Sequence, residues 1–156
     1  NVTPPIADAM KKGDFNFFRK NWILEEEKFL KAPADLKPQL QALKQYVEKN
    51  NSRLLVFYIP SRNQVSTYYY QFEKQYCLIN CPDAMNLTTD AYHIHRKMLA
   101  ARCSELSIPF FDLTNPIISE ESKDNHLYCG YDDHMRGKGY IFTAKKMYAW
   151  WREINN

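Results

Sequence analysis

Apolar positions recur at helical spacing along most of this chain and close into short unbroken runs at only two places. The clearest helix is predicted over Asp35 to Lys49. There Leu36, Leu40, Leu43 and Val47 fall at offsets of 0, 4, 7 and 11, the stripe of a helix packed on one side. Asn50-Asn51 stops it. The first unbroken run, RLLVFYIP, carries Leu54 to Ile59 without a polar interruption and ends at Pro60. Continuous rather than alternating hydrophobicity predicts a strand buried on both faces, as in a parallel sheet. After the polar Ser61-Arg62-Asn63-Gln64, helical spacing resumes through Val65, Tyr69, Phe72 and Tyr76.

A loop through CLINC leads to a further helix, predicted from about Thr89 to Leu106. Ile94, Met98 and Ala101 line one side of it, and Tyr92, Leu99, Cys103 and Leu106 the other. The second run, IPFFDLT, predicts another short buried strand. Residues 114–138 read as a polar loop. The last helix is predicted from its spacing of Tyr140, Ala144, Met147 and Trp151. Upstream, residues 3–34 read as irregular helix, with Thr3 as a cap before Pro4 and Pro5 and with Phe15, Phe18, Trp22 and Leu24 as its apolar side.

The order is helices, strand, helix, strand, loop, helix, which predicts an α/β layer fold with right-handed crossovers. It divides the chain into a helical lead-in, 1–52, and an α/β segment, 53–156. Two strands are too few for a stable doubly wound sheet. Either short strands lie in the N-terminal third or, as favoured, the missing strands belong to a preceding segment, and Asn1 in place of Met fits a piece of a longer protein. In that case 54–59 and 109–113 would expose apolar edges, and the isolated polypeptide would pair or aggregate.

Composition narrows the function classes. With 156 residues, 45% hydrophobic and 25% charged, the chain can bury a core. Its net charge of +3 is spread among acids, unlike the basic stripe of a nucleic-acid binder. No apolar run approaches the length of a membrane span. Four cysteines, Cys77, Cys81, Cys103 and Cys129, do not define a disulfide scaffold, although the CLINC pair could close a small loop in an oxidising compartment. A zinc reading is weak, because no second closely spaced Cys or His pair completes a tetrahedral site. Asn50-Asn51-Ser52 and Asn86-Leu87-Thr88 match the glycosylation acceptor pattern. An extracytoplasmic setting, secreted or periplasmic, is favoured.

Ligands of open α/β sheets sit beyond the carboxyl ends of the strands. Three polar groups are predicted there: Ser61-Arg62-Asn63, taken as substrate-binding; Asp112 with Thr114; and the Asp132/His134 loop. A carboxylate two residues before a histidine can orient its ring and stabilise the imidazolium during proton transfer. The alternative is a helix entrance at which Asp132 or Asp133 caps free amides. His93 and His95 face different ways on their helix, and His126 reads as a solvated loop residue. Core packing is expected to claim members of Tyr68-Tyr69-Tyr70 and Trp150-Trp151, the rest being available to sugar rings. Gly137 and Gly139 are expected to let the chain turn tightly from the histidine loop into the last helix.

LLVFYIPSRNQV, then IPFFDLT about fifty residues later, then YDDHMRGKGY, together resemble the C-terminal half of the SGNH (GDSL-like) hydrolase superfamily. The likeness covers about residues 53–152. It implies a three-layer α/β/α, flavodoxin-like fold of which this chain is the C-terminal part. It further implies that Asp132, His134, Gly139 and Tyr140 fill the family's Asp-x-His-x-x-x-x-Gly-hydrophobic loop. His134 is then similar to the catalytic base and Asp132 to the acid that orients it, while Asp133 fills a variable position. Arg136 departs from the small polar residue usual there. The nucleophile of the family lies in a Gly-Asp-Ser block, and its oxyanion donors include a Gly and an Asn from two further blocks; none of the three occurs in this chain. Ser61 lacks the flanking glycines of a nucleophile elbow and reads as a helix cap or loop residue.

The resemblance therefore implies the acid–base half of a serine ester hydrolase or O-acyl transferase, with neither metal nor organic cofactor. The serine would come from a missing N-terminal segment or a partner chain, and the substrates would be small esters or O-acetyl groups on glycans. The competing expectation is a non-catalytic binding or assembly module on a degenerate frame of the same kind.

Overall fold

A computed structural model of the chain describes residues 12, 35–72, 87–89, 92–130 and 133–156. The expectations for residues 3–34, for Tyr76, for Cys77 and Cys81, and for Asp132 lie outside the described residues.

Helix α1, Lys37–Lys49, starts with a proline in its first turn, where no amide partner is needed. Its stripe is only half used. Leu40 and Val47 are half-buried, whereas Leu43 is 48% exposed and no residue of the helix is fully buried. Polar contacts with α3, Ile94–Glu105, take the place of a core. Arg102 grips Asp35 with two nitrogens at 3.0 and 3.2 Å, Lys37 Nζ lies 2.8 Å from Glu105 Oε2, and Lys44 Nζ donates to Leu106 O at 2.8 Å. Both helices end in a left-handed residue other than glycine, Asn51 at φ 53° and Ser107 at φ 51°. The next amide then reaches back to an open carbonyl, Ser52 N to Val47 O and Ile108 N to Cys103 O.

Strand β1, Val56–Tyr58, pairs in parallel with β2, Phe110–Asp112, in the register Val56 to Phe110, Phe57 to Phe111 and Tyr58 to Asp112. Among the described residues the chain is thus mixed α/β around a small two-stranded parallel sheet. Both strands are half-buried rather than buried on both faces, and Ile59 is 48% exposed. The physical reason is that in a two-stranded sheet each strand is also an edge.

Three sequence expectations change in the second half. The helical spacing after Pro60 is broken at Ser66, whose extended backbone separates α2, Arg62–Val65, from a 3-10 turn, Thr67–Tyr69. Ser66 Oγ accepts the Tyr68 amide at 3.2 Å and so starts the second turn. The expected polar loop contains a helix, α4, Thr114–Glu121. Asp112 Oδ1 accepts the Thr114 amide at 2.8 Å, and Thr114, Ile117 and Glu121 form the buried side. The signals for it were an acid two residues before the start, Pro116 in the first turn, and an i, i+3, i+7 inward face.

In the last helix, α5, Gly137–Glu153, the inward face is rotated from the expected one. Tyr140 and Trp151 are 56% and 45% exposed, and Ala144 is exposed. Gly139 and Thr143 are buried instead, with Phe142 and Met147 packed against the core. Trp150 stacks on Phe111 at 5.2 Å and meets Phe57 edge-on at 5.3 Å. Gly139 sets that rotation: a Cβ there would stand 2.4 Å from Leu127 O. Gly137 has open space around it, and neither glycine has a positive φ. The pair therefore serves close packing at one position rather than a tight turn.

The main core holds Val65, Tyr69, Leu113, Ile117, Leu127 and Tyr128 together with Met135. All of them lie beyond the carboxyl ends of the strands in sequence. The loop carrying His134 is therefore built partly out of core residues.

Candidate functional site

The site starts where the two strands end. Beyond β1 the chain turns through Pro60 into Ser61, which stands at the N-cap of α2 with φ −69° and ψ 159°. Its amide donates to Gln64 Oε1 at 3.0 Å, and Tyr58 OH donates to the same oxygen at 3.3 Å. Gln64 Nε2 donates to Tyr92 O at 2.8 Å. These bonds fix the turn from both sides. Ser61 takes the cap position expected of it, and its Oγ is buried without a hydrogen-bond partner among the described residues. Asn63 Oδ1 and, at the start of α4, Thr114 Oγ1 share that condition. All three are oxygens at the carboxyl ends of the strands, where a buried polar atom without a partner carries a cost.

Arg62 is the centre of the arrangement. It has 0% exposure, yet one of its nitrogens, Nη1, donates to Gly130 O at 2.6 Å and to Cys129 O at 3.1 Å. Its Nε lies 3.2 Å from Asp133 Oδ1, within ion-pair distance, although the N–H is not aligned on that oxygen as a hydrogen bond. The guanidinium carbon also sits 5.9 Å from the centre of the Tyr69 ring. A buried arginine is tolerated only when paired and hydrogen-bonded, and the residues leading to His134 supply both.

The segment Leu127 to Arg136 doubles back on itself. Cys129 N donates to His134 O at 2.9 Å, Arg136 N donates to Leu127 O at 2.8 Å, and Tyr128 bridges Met135 in antiparallel sense. Tyr128 OH donates to Pro60 O at 2.6 Å, tying this hairpin to the end of β1. His134 is exposed on the arm that pairs with Cys129, and Met135 beside it is buried.

A second buried group holds the base of the hairpin. Glu121 Oε1 accepts from Tyr69 OH at 2.7 Å and from the Leu127 amide at 2.7 Å, and Glu121 Oε2 lies 3.1 Å from His126 Nδ1. Tyr69 OH in turn accepts from the Tyr128 amide at 3.1 Å. Burial pushes the Tyr69 phenol well above its ordinary range, and the bond to Glu121 adds to that. Burial likewise pushes up Tyr128, with the Glu121 charge contributing. His126 is stacked on Tyr68 at 3.4 Å and is largely buried, so it is not the solvated residue expected. Glu121 and His126 were not singled out as partners because nothing in their spacing distinguishes an inward acid from a solvated one.

The sequence-predicted residues thus divide. Arg62 and the Asp133–His134 segment are brought together, and Asp112 lies at the neighbouring strand end with Arg96 Nη1 3.5 Å from its Oδ2. Asp133 does not cap a helix: α5 begins after Arg136, and Asp133 faces Arg62. Tyr69 and Tyr70 are claimed by the core and Trp150 by the sheet, while Trp151 stacks on Tyr148 near the surface. Cys103 is buried with its thiol pushed up by burial, Cys129 is half-buried, and both are free. Among the described residues no three His, Cys, Asp or Glu side chains gather as a metal site, and no helix is long and apolar enough to cross a membrane. Comparison with protein families, curated proteins and solved structures finds no match to this chain.

Proposed function

We propose that this chain is the acid–base arm of an SGNH-type serine ester hydrolase or O-acyl transferase, acting on small carboxylic esters or on O-acetyl groups of glycans. The observation that carries the reading is the anchored hairpin. A buried arginine from the start of α2 and a tyrosine bond to Pro60 O hold the segment leading to His134 at the carboxyl end of a parallel strand pair. The exposure of His134 on a hydrogen-bonded backbone supports the reading of a general base.

In this reading a serine outside these 156 residues attacks the ester carbonyl and passes its proton to the His134 ring. The imidazolium then protonates the leaving alkoxide. In the second half-reaction the oxygen of water, or of an acceptor alcohol, bonds to the acyl carbon and gives its proton to His134, which passes it to the serine oxygen as the acyl–serine bond breaks. Asp132 is assigned the orienting carboxylate. Ser61 is not the nucleophile, because a buried Oγ at a helix cap cannot reach a carbonyl in solvent. The finer fold proposed is the three-layer, flavodoxin-like one. Its support is that Trp150 of α5 covers the Phe57–Phe111 side of the strands, while Arg96 of α3 meets Asp112 in the alternate register.

The test is hydrolysis of p-nitrophenyl acetate by the full-length protein. His134→Ala is expected to lower kcat roughly a thousandfold or more with an unchanged circular dichroism spectrum. Asp132→Asn should follow it with a smaller loss. Undiminished turnover in His134→Ala would remove His134 from the mechanism.

A further inference from the structure

The structure assigns Arg62 the role of a positioning residue: it holds the His134 loop through the carbonyls of Cys129 and Gly130 and through Asp133, instead of contacting substrate. The inference deepens the proposed function and rests on it only for its kinetic consequence.

Two features separate this role from substrate binding. The side chain has no exposure, so no ligand reaches it without displacing the loop. Two of its nitrogens also face the loop, with Nη1 on two consecutive carbonyls and Nε toward the carboxylate beside His134. A planar fork is needed for this, since a lysine ammonium on the same stem cannot present donors along two directions at fixed spacing. The connection to His134 runs through the backbone. Gly130 and Cys129 form one arm of the hairpin, and Cys129 N donates to His134 O. Asp133 is the residue before the imidazole. Loss of the fork therefore frees both sides of His134 at once. Other charges face this region: Glu121, which accepts from Tyr69 and Leu127, and Arg136, which follows Met135. Neither is bonded to the Cys129 or Gly130 carbonyl among the described residues.

Arg62→Lys and Asp133→Asn test the inference, read by amide hydrogen exchange at Cys129, the NMR signals of the His134 ring, and ester kinetics in the full-length protein. Arg62→Lys is expected to speed exchange at Cys129 at least tenfold and to shift the His134 ring signals, with protection in α3 unchanged. It should lower kcat about tenfold or more with KM little altered, since the reacting group is displaced and no substrate contact is lost. Asp133→Asn, at the exposed end of the pair, keeps the fold and should produce the same changes in smaller measure. A raised KM at native kcat in either variant would overturn the inference in favour of a substrate contact. So would native exchange at Cys129 together with an unmoved His134 ring. Should Arg62→Lys fail to fold, Asp133→Asn alone decides on the same readouts. If the protein hydrolyses no ester, the exchange and ring measurements still decide whether Arg62 positions the loop, and only the enzymatic reading falls.

Discussion

Gly139 shows how a single side chain, here a hydrogen, decides an orientation. It lies one turn into α5, where the helix comes so close to Leu127 that a Cβ would stand 2.4 Å from the carbonyl oxygen and 3.1 Å from Met135 Cβ. Gly139→Ala must push the helix off the hairpin and is expected to cost about 1–3 kcal/mol, the usual range for overpacking. Gly137, with nothing within 4 Å, behaves in the opposite way. Gly137→Ala should be neutral or stabilising by up to about 1 kcal/mol, because alanine is the better helix former. Urea unfolding of the two variants measures the contrast, and equal effects would show that close approach is not what selects glycine at 139. In the sequence the two glycines were equivalent partners in a turn, since a backbone approaching from twelve residues upstream leaves no local trace.

At the scale of elements, the helices are attached by different forces. Helix α5 docks through Trp150 and Phe142, whereas α1 docks on α3 chiefly through Asp35–Arg102, Lys37–Glu105 and Lys44–Leu106 O. The Lys37 amide and the Arg102 guanidinium hold the Asp35 carboxyl below its usual range, and Lys37 with Arg102 does the same for Glu105. Depressed carboxyl pKa values mean that this docking is present above the ordinary carboxylate range and is lost as pH falls through the lowered values. Asp35 and Glu105 are exposed and their cationic partners only half-buried, so salt screens them, with a Debye length of about 3 Å at 1 M. Hydrogen exchange across Lys37–Lys49 is therefore expected to quicken at high salt while exchange in α5 stays as it was. Equal protection at low and high salt would mean that Leu40 and Val47 alone hold the helix. The stripe in α1 was legible as amphipathic, but periodicity reports which side is apolar and not how far it is covered.

For the molecule as a whole, the core and the candidate site are one construction. Tyr69, Tyr128 and Glu121 belong to the packed interior and to the hydrogen-bond network under the His134 hairpin at once. Burial keeps the Tyr69 and Tyr128 phenols protonated far above their ordinary value of 10.0, and pushes Tyr70 up to about 12. In the unfolded chain all three ionise near their ordinary value. Their contribution to stability is therefore complete below pH 10 and is lost as pH rises toward 12 and beyond. Alkaline titration is expected to show phenolate absorption from these residues only together with loss of tertiary structure, in one transition. Phenolate formation by all eleven tyrosines in a folded protein would contradict the packing described.

The sequence by itself determined the class of the fold: helical spacing and two unbroken apolar runs in the right order specify strands, crossover helices and an α/β chain. It also singled out Arg62 and the Asp-Asp-His stretch as chemically unusual, because charged groups beside strand ends are few. Tertiary structure decided what those groups do. Arg62 was read as substrate-binding and lies buried with Nη1 on two carbonyls, Asp133 filled a variable position and lies at ion-pair distance from it, and residues 114–121 were loop and are helix. The physical reason is the same in each case. Periodicity is a property of neighbours along the chain, whereas a buried charge is defined by the carbonyls and carboxylate that close around it, and those lie nearly seventy residues away.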